Sequence, residues 1–200
     1  NTGGMGAFHP SPIADETLVE TVARRVIEPT LAGLAAEGRP YRGVLYAGMM
    51  LTEAGPKVIE FNCRFGDPES QVVIPLLVTD LYEVLAACVD GDLASLDVVW
   101  ADQAAVTVVL ASGGYPVSSS PPAAVSGLED VPDDCVVFHA GTEIIDGAIH
   151  AIGGRVLAVT AVKATLAEAA NAAHAGVAAI EFSGAQHRAD IARETAQVRT

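Results

Sequence analysis

Basic residues are scarce. The 200-residue chain sets 11 lysines and arginines against 25 acidic side chains, a formal charge of −14. Arg24-Arg25 is the only adjacent basic pair. Phosphate backbones and anionic lipid are held by clustered Lys and Arg, so nucleic-acid binding and membrane adhesion are disfavoured. A small anionic ligand, held by a few positioned donors, is not. Cysteine is sparser still: Cys63, Cys88 and Cys135 lie far apart with no C-x-x-C spacing, which argues against a zinc knuckle or a secreted disulfide framework and for a reducing, cytoplasmic setting. Apolar runs are short. Stretches such as Ala104–Ala111 fall well below the roughly 20 residues of a membrane helix, and no signal peptide is visible. With 50% hydrophobic residues, 19 Gly and 11 Pro, the composition is that of a globular chain with room for one large domain or two small ones. The chain opens at Asn1, without Met, inside a glycine-rich loop, and this reads as a cut end.

Asn1-Thr2-Gly3-Gly4-Met5-Gly6 is too rich in glycine for regular structure, and His9-Pro10-Ser11-Pro12 extends the loop. Asp15 offers an N-cap to a helix over about 15–37, with Leu18, Val22 and Val26 at helical spacing, a kink at Pro29 and a stop at Gly38. Residues 43–51 and 58–64 read as the strands of a hairpin turning at Gly55-Pro56. Asp67 as cap and Pro68 at the first helical position start a helix through Val72, Val73, Leu76 and Leu77. A second helical pattern restarts at Thr79-Asp80 and ends at Gly91. After Asp102 the texture changes to a short β-branched run and a long Gly, Ser and Pro stretch, so a boundary is placed near 102. Strands are expected over 136–139, 142–145, 148–152 and 155–162, then a helix over 165–179 and a polar tail.

The chemistry concentrates in Glu60-Phe61-Asn62-Cys63-Arg64. On a strand, Glu60, Asn62 and Arg64 point to one face, and Phe61, Cys63 and Phe65 to the other. The apolar set suits a core; Met49 and Met50 are read as core as well, and Cys63 as packing. Carboxylate and carboxamide oxygens suit Mg²⁺, which takes one or two protein ligands and completes its shell with water and phosphate oxygens. An arginine further along can hold a phosphoryl group. A surface strand carrying a Glu-Arg pair would show the same alternation. Gly66-Asp67-Pro68-Glu69 follows, where a helix N-terminus would favour an anion or Asp67 would simply cap. The opening glycines form an anion cradle or a turn. Arg155 after Gly153-Gly154 either reaches a substrate phosphate or closes a turn, and His139 reads as a structural hydrogen-bonder.

N-T-G-G-M-G-A at 1–7, Y-A-G-M-M at 46–50 and E-F-N-C-R-F-G-D-P-E at 60–69 resemble the phosphoribosylamine-glycine ligases, or glycinamide ribonucleotide synthetases, of the ATP-grasp superfamily. The likeness continues through G-Y-P at 114–116, H-A-G-T at 139–142, G-G-R-V-L at 153–157 and R-A-D-I at 188–191. It implies an α+β chain: the carboxy-terminal part of an ATP-grasp fold over 1–102, a small β-rich domain with one helix over 103–193, and a tail over 194–200. The implied reaction joins glycine to 5-phosphoribosylamine with ATP, through a glycyl phosphate. By the same resemblance Glu60 and Asn62 are ligands to Mg²⁺ or Mn²⁺, and Arg64 stabilises the transferring phosphoryl group. Asn1, Thr2, Gly3, Gly4, Met5 and Gly6, with Gly66, Asp67, Pro68 and Glu69, border the glycine and phosphoribosylamine pocket, and Arg155 is a further substrate-binding candidate. The substrate's own amine is the nucleophile, so no Ser, Cys or His nucleophile is required. Two departures stand out. Residues 43–51 contain no acid where many ATP-grasp enzymes place a further metal ligand. Family members are also about twice this length, so an amino-terminal half of the same enzyme is the expected partner, and activity of this chain alone is expected to be very weak. Another ATP-grasp ligase or carboxylase, or a non-catalytic sugar-phosphate-binding fragment, are the alternatives.

Overall fold

The computed structural model describes residues 3–118 and 120–193; Asn1, Thr2 and the expected tail over 194–200 lie outside them. In chain order the elements are β1 (Gly6–His9), α1 (Glu16–Val22), α2 (Glu28–Ala36), β2 (Tyr46–Thr52), β3 (Gly55–Asn62), α3 (Ser70–Leu76), α4 (Leu81–Asp90), β4 (Ala104–Ala111), β5 (Ala123–Ala124), β6 (Cys135–His139), β7 (Thr142–Ile145), β8 (Ala148–Ala151), β9 (Arg155–Lys163) and α5 (Leu166–Ala179). The fold is mixed α/β with antiparallel sheets. No helix among the described residues is long and apolar enough to cross a membrane.

Packing divides the chain differently from a single cut near 102. One compact unit comprises the chain up to Pro10, Asp67–Leu76 and everything from Ala101; the other comprises Ser11–Gly66 and Leu77–Trp100. The reason is β1. Its four residues, expected as loop, pair antiparallel with β4, Phe8 opposite Val106, and so carry the start of the chain into the first unit.

In that unit the sheet order is β1-β4-β9-β6. β4 bears no charge and is rich in β-branched residues, and all eight of its residues are buried, as expected for a strand covered on both faces. α5 covers one face, its Ala169, Ala170, Ala173 and Val177 packing with Val106, Val108, Leu110 and Val159. Gly176 permits this close approach, because a Cβ there would stand 2.7 Å from Val159 Cγ1. Thr165 caps α5 in a reciprocal capping box with Glu168. On the other face Val72 and Leu76 of α3 pack with Ala105, and Met5 with Val109, Ala111 and Ala158. Thr160 Oγ1 donates to Thr107 Oγ1 at 2.8 Å across the buried strand pair. A second sheet, β5-β8-β7, completes the unit.

In the second unit Asp15 caps α1 through the Leu18 N–H at 2.7 Å, and Asp80 caps α4 through the Tyr82 N–H at 2.7 Å. Between α1 and α2, Ala23–Ile27 widens into a π-helical turn. Pro29 follows at the start of α2; lacking an N–H and crowding the carbonyl four residues back, it favours this wider turn over a simple kink. The hairpin of β2 and β3 turns earlier than expected, at Glu53-Ala54, with Gly55 at φ +92° and Pro56 inside the strand. β3 ends at Asn62, because its last partner is Tyr46, the first residue of β2; the expected continuation to Arg64 is not strand. The apolar face of the hairpin is also uncovered: Ile59, Phe61 and Cys63 are exposed, and so is Met50 on β2, against the expectation of a core.

Candidate functional site

The residues singled out from the sequence fall in both units, and each group is built within its own. In the hairpin, Glu60 and Asn62 lie two apart on β3, so they share a face. Asn62 Nδ2 donates to Glu60 Oε1 at 3.0 Å, which brings the carboxylate and the carboxamide into contact. Gly48 stands opposite Glu60 across the ladder, and a β-bulge separates Gly48 from Met49. A Cβ at 48 would come within 3.2 Å of Glu60 Cγ, so glycine there leaves the acid its room. Bulges commonly re-aim side chains next to sites. Arg64 is not aligned with the pair: it lies beyond the strand, and its Nη1 donates to the Phe65 carbonyl at 2.9 Å.

One carboxylate and one amide oxygen fit a hard cation that keeps most of its shell as water and phosphate oxygens. They do not make an all-protein cage, and no group of three His, Cys, Asp or Glu residues comes together among the described residues.

In the other unit the glycine-rich turn and the Asp67 turn meet on Arg155. Its Nη2 donates to Asp67 Oδ2 at 2.7 Å, and its Nη1 donates to the Asp67 carbonyl at 2.8 Å and to the Gly4 carbonyl at 3.3 Å. Gly4 has φ +77°, and a Cβ there would stand 2.8 Å from Nη1. Glycine at 4 therefore serves both the turn and the close guanidinium. Met5 points into the core, and its carbonyl accepts from Val109 N–H at 3.0 Å, so its side chain takes no part in a pocket. Asn1 and Thr2 lie outside the described residues.

The Asp67–Pro68 bond is cis, and α3 begins only at Ser70. The N–H groups of Gln71, Val72 and Val73 are already bonded to the Pro68 and Glu69 carbonyls, which corrects the expectation of an open helix N-terminus here. Pro68 is buried, and Asp67 Oδ1 accepts from Gln71 Nε2 at 3.1 Å. His139 Nδ1 lies 3.1 Å from Thr142 Oγ1, a structural contact as read from the sequence.

The chain's end braces the same unit. Arg188 forks onto Asp190, and these hydrogen bonds hold its carboxyl down at about 2. His174 Nε2 lies 3.0 Å from the Ile191 carbonyl, and burial pushes the imidazole below its usual range. Ile191 in turn packs on Gly6, where a Cβ would meet Ile191 Cγ1 and Cγ2 at 3.0 Å. Sequence reasoning missed both the Arg155–Asp67 pair and this brace, since partners 88 and 17 residues apart leave no periodic signal. A groove of about 580 Å³ beside the end of α5, lined by Leu110, Ser126, Ile180, Phe182 and His187 among others, contains none of the residues singled out.

Residues 1–70, which include this hairpin, match the model of the phosphoribosylglycinamide synthetase ATP-grasp (A) domain, and that match places the stretch in the ATP-grasp class. Residues 105–194 match the phosphoribosylglycinamide synthetase C domain, and the chain belongs to the phosphoribosylglycinamide synthetase family. It is 49% identical over 194 residues to phosphoribosylamine–glycine ligase of Phenylobacterium zucineum, covering 96% of this chain and 46% of that protein. It is 51% identical over 193 residues to the trifunctional purine biosynthetic protein adenosine-3 of Gallus gallus, covering 96% of this chain and 19% of that protein. The crystal structure of phosphoribosylamine–glycine ligase from Thermotoga maritima superposes with a TM-score of 0.82 at 32% identity, over 96% of this chain and 47% of that one. The chain thus spans about half the length of the ligases it matches and about a fifth of the trifunctional protein. In the trifunctional relatives the matched stretch falls in the amino-terminal region, so the expected carboxy-terminal placement does not hold for those longer chains.

Proposed function

We propose that this chain is part of an enzyme that joins glycine to 5-phosphoribosylamine at the expense of ATP, giving glycinamide ribonucleotide through a glycyl phosphate. The observation that carries the reading is the Glu60–Asn62 contact opposite Gly48, on a chain about half identical to named ligases. On this reading residues 1–102 are part of the ATP-grasp domain and 103–193 form the ligase's small β-rich domain. Glu60 and Asn62 would hold Mg²⁺ or Mn²⁺, which when bound neutralises charge on the nucleotide phosphates.

The chain's own side chains do the rest. Glu60 and Asn62 orient the site through their mutual hydrogen bond. Arg64 turns from the Phe65 carbonyl to the transferring phosphoryl oxygens, an electrostatic role that needs no proton transfer. Arg155 orders the Gly4 and Asp67 turns that border the glycine and phosphoribosylamine pocket. The attacking amine belongs to the substrate. The cysteine pattern supports a cytoplasmic setting, and the rest of the ligase is the proposed partner.

Calorimetric titration of the chain with glycinamide ribonucleotide and Mg²⁺, beside Glu60→Ala and with an ATP hydrolysis assay on the same sample, tests the reading. Metal-dependent binding lost in Glu60→Ala, without hydrolysis, supports it. Equal binding by both proteins removes Glu60 from the site, and rapid hydrolysis by this chain alone overturns the view that it is a partial enzyme.

A further inference from the structure

The two units differ in one physical respect that the ligase reading leaves unused. Every residue of the apolar core lies in the unit built on β4 and β9; among the described residues of the hairpin unit only Gly66 is buried. Yet the hairpin unit holds most of the large exposed apolar side chains. On and just before α4, Val78, Tyr82, Leu85 and Val89 are exposed, Tyr82 at 79% and Val89 at 69%. Within α4 itself, the spacing of three and four puts Tyr82, Leu85 and Val89 on one helical stripe. A second patch, Leu51, Ile59 and Phe61, lies on the hairpin, with Ile59 at 61%. Apolar surface grouped in this way marks an interaction face, and a unit with no buried side chains of its own lacks the burial that would offset its chain entropy.

We infer that the α4 stripe is a docking surface for another polypeptide surface, apolar and free of acidic residues: the portion of the ligase that the relatives possess and this chain does not match. Two observations select that occupant. The chain covers only 46% and 47% of two ligases to which it is similar along nearly all of its own length, so those proteins hold a comparable amount of chain beyond the matched part. The stripe is also flanked in sequence by Asp80, Glu83, Asp90 and Asp92, while Arg42 bonds the Val89 carbonyl at the end of α4. A second copy would bring the same carboxylates against themselves, which like-charge repulsion disfavours. The inference deepens the ligase reading by locating its partner's contact.

Hydrogen-exchange mass spectrometry tests it on this full chain, alone and mixed with the separately expressed unmatched remainder of the Phenylobacterium zucineum ligase. The expected result is that α4 and β2–β3 exchange much faster than α5 in the chain alone, and at least about tenfold more slowly once the remainder is added, with α5 unchanged. Tyr82→Asp combined with Val89→Asp should cancel that slowing without altering α5. Three results overturn the inference: α4 as protected as α5 in the chain alone; protection that rises with this chain's own concentration, which assigns the stripe to self-association; or no slowing either in the mixture or when the two pieces are joined in one polypeptide. Glycinamide ribonucleotide titration on the same samples separates the two readings. Docking without ligand binding defeats the ligase assignment alone, and ligand binding without docking defeats the surface alone.

Discussion

Arg155→Met keeps most of the side-chain stem and deletes the guanidinium, so it isolates what that group does between Gly4 and Asp67. The ion pair to Asp67 is partly solvated, the side chains being 26% and 50% exposed, and such a pair contributes well under 1 kcal/mol after screening. The hydrogen bonds to the Asp67 and Gly4 carbonyls fall at the low end of their usual range, because both carbonyls can turn to water and the second bond is 3.3 Å long. Together the three contacts hold the turn by about 1.5 kcal/mol, a factor of roughly 10 in its opening equilibrium. The Val109 N–H, bonded to the Met5 carbonyl at 3.0 Å, reports that opening by native-state hydrogen exchange. It should exchange roughly 10-fold faster in the variant, while the Val159 amide between β9 and its neighbours stays unchanged. An unaltered Val109 rate alongside weakened glycinamide ribonucleotide binding would refute the reasoning and make Arg155 a direct ligand contact.

Gly6→Ala places a Cβ 2.7 Å from the Thr107 carbonyl and 3.0 Å from Ile191; the buried β4 backbone has little room to yield, so calorimetry should show a loss of about 1–3 kcal/mol. Thr160→Val leaves the Thr107 hydroxyl buried without its donor, a cost of about 1–3 kcal/mol, whereas the double variant Thr107→Val with Thr160→Val should recover most of it in denaturant melts. His174 titrates below its usual range because it is buried, so the unfolded chain binds the proton more readily. Its contribution is then fully present above about pH 6.5 and is lost as pH falls through that value toward the lower folded pKa. His174→Gln should flatten the stability profile in that window, and an unchanged slope would show that the imidazole is not responsible.

Local patterns carried most of the secondary structure. Asp15 caps the helix expected from it, Asp80 and Thr165 cap helices expected to start there, and the uncharged β-branched run at 104–111 is the buried strand it reads as. These features are settled within a few residues along the chain, by orphan N–H groups seeking an oxygen or by a run too apolar to face water. What escaped was long-range. Nothing in Gly6-Ala7-Phe8-His9 announces that it will pair with residues about a hundred positions away, and the glycines around it argue for a loop. Asp67 reads as a helix cap, yet its carboxylate serves Arg155 and Gln71 instead, because the turn at Pro68 postpones the helix to Ser70.

The hairpin shows where alternation stops being informative. Period two puts Glu60 and Asn62 on one face and Phe61 between them on the other, since that follows from the pleat alone. It cannot say how far the strand runs, which depends on the partner: β2 starts at Tyr46, so the ladder ends at Asn62 and Arg64 is released from the face it was assigned. Nor can it say what covers the apolar side. The two-stranded sheet exposes Ile59 and Phe61, and two strands without further cover are marginal in water. The residues most suited to hold a metal therefore stand on the least self-sufficient part of the chain. It follows that docking at α4 and metal affinity at Glu60 should rise together if the hairpin is ordered by the same partner, and a metal affinity indifferent to that partner would mean that the two-residue contact is already formed in the chain alone.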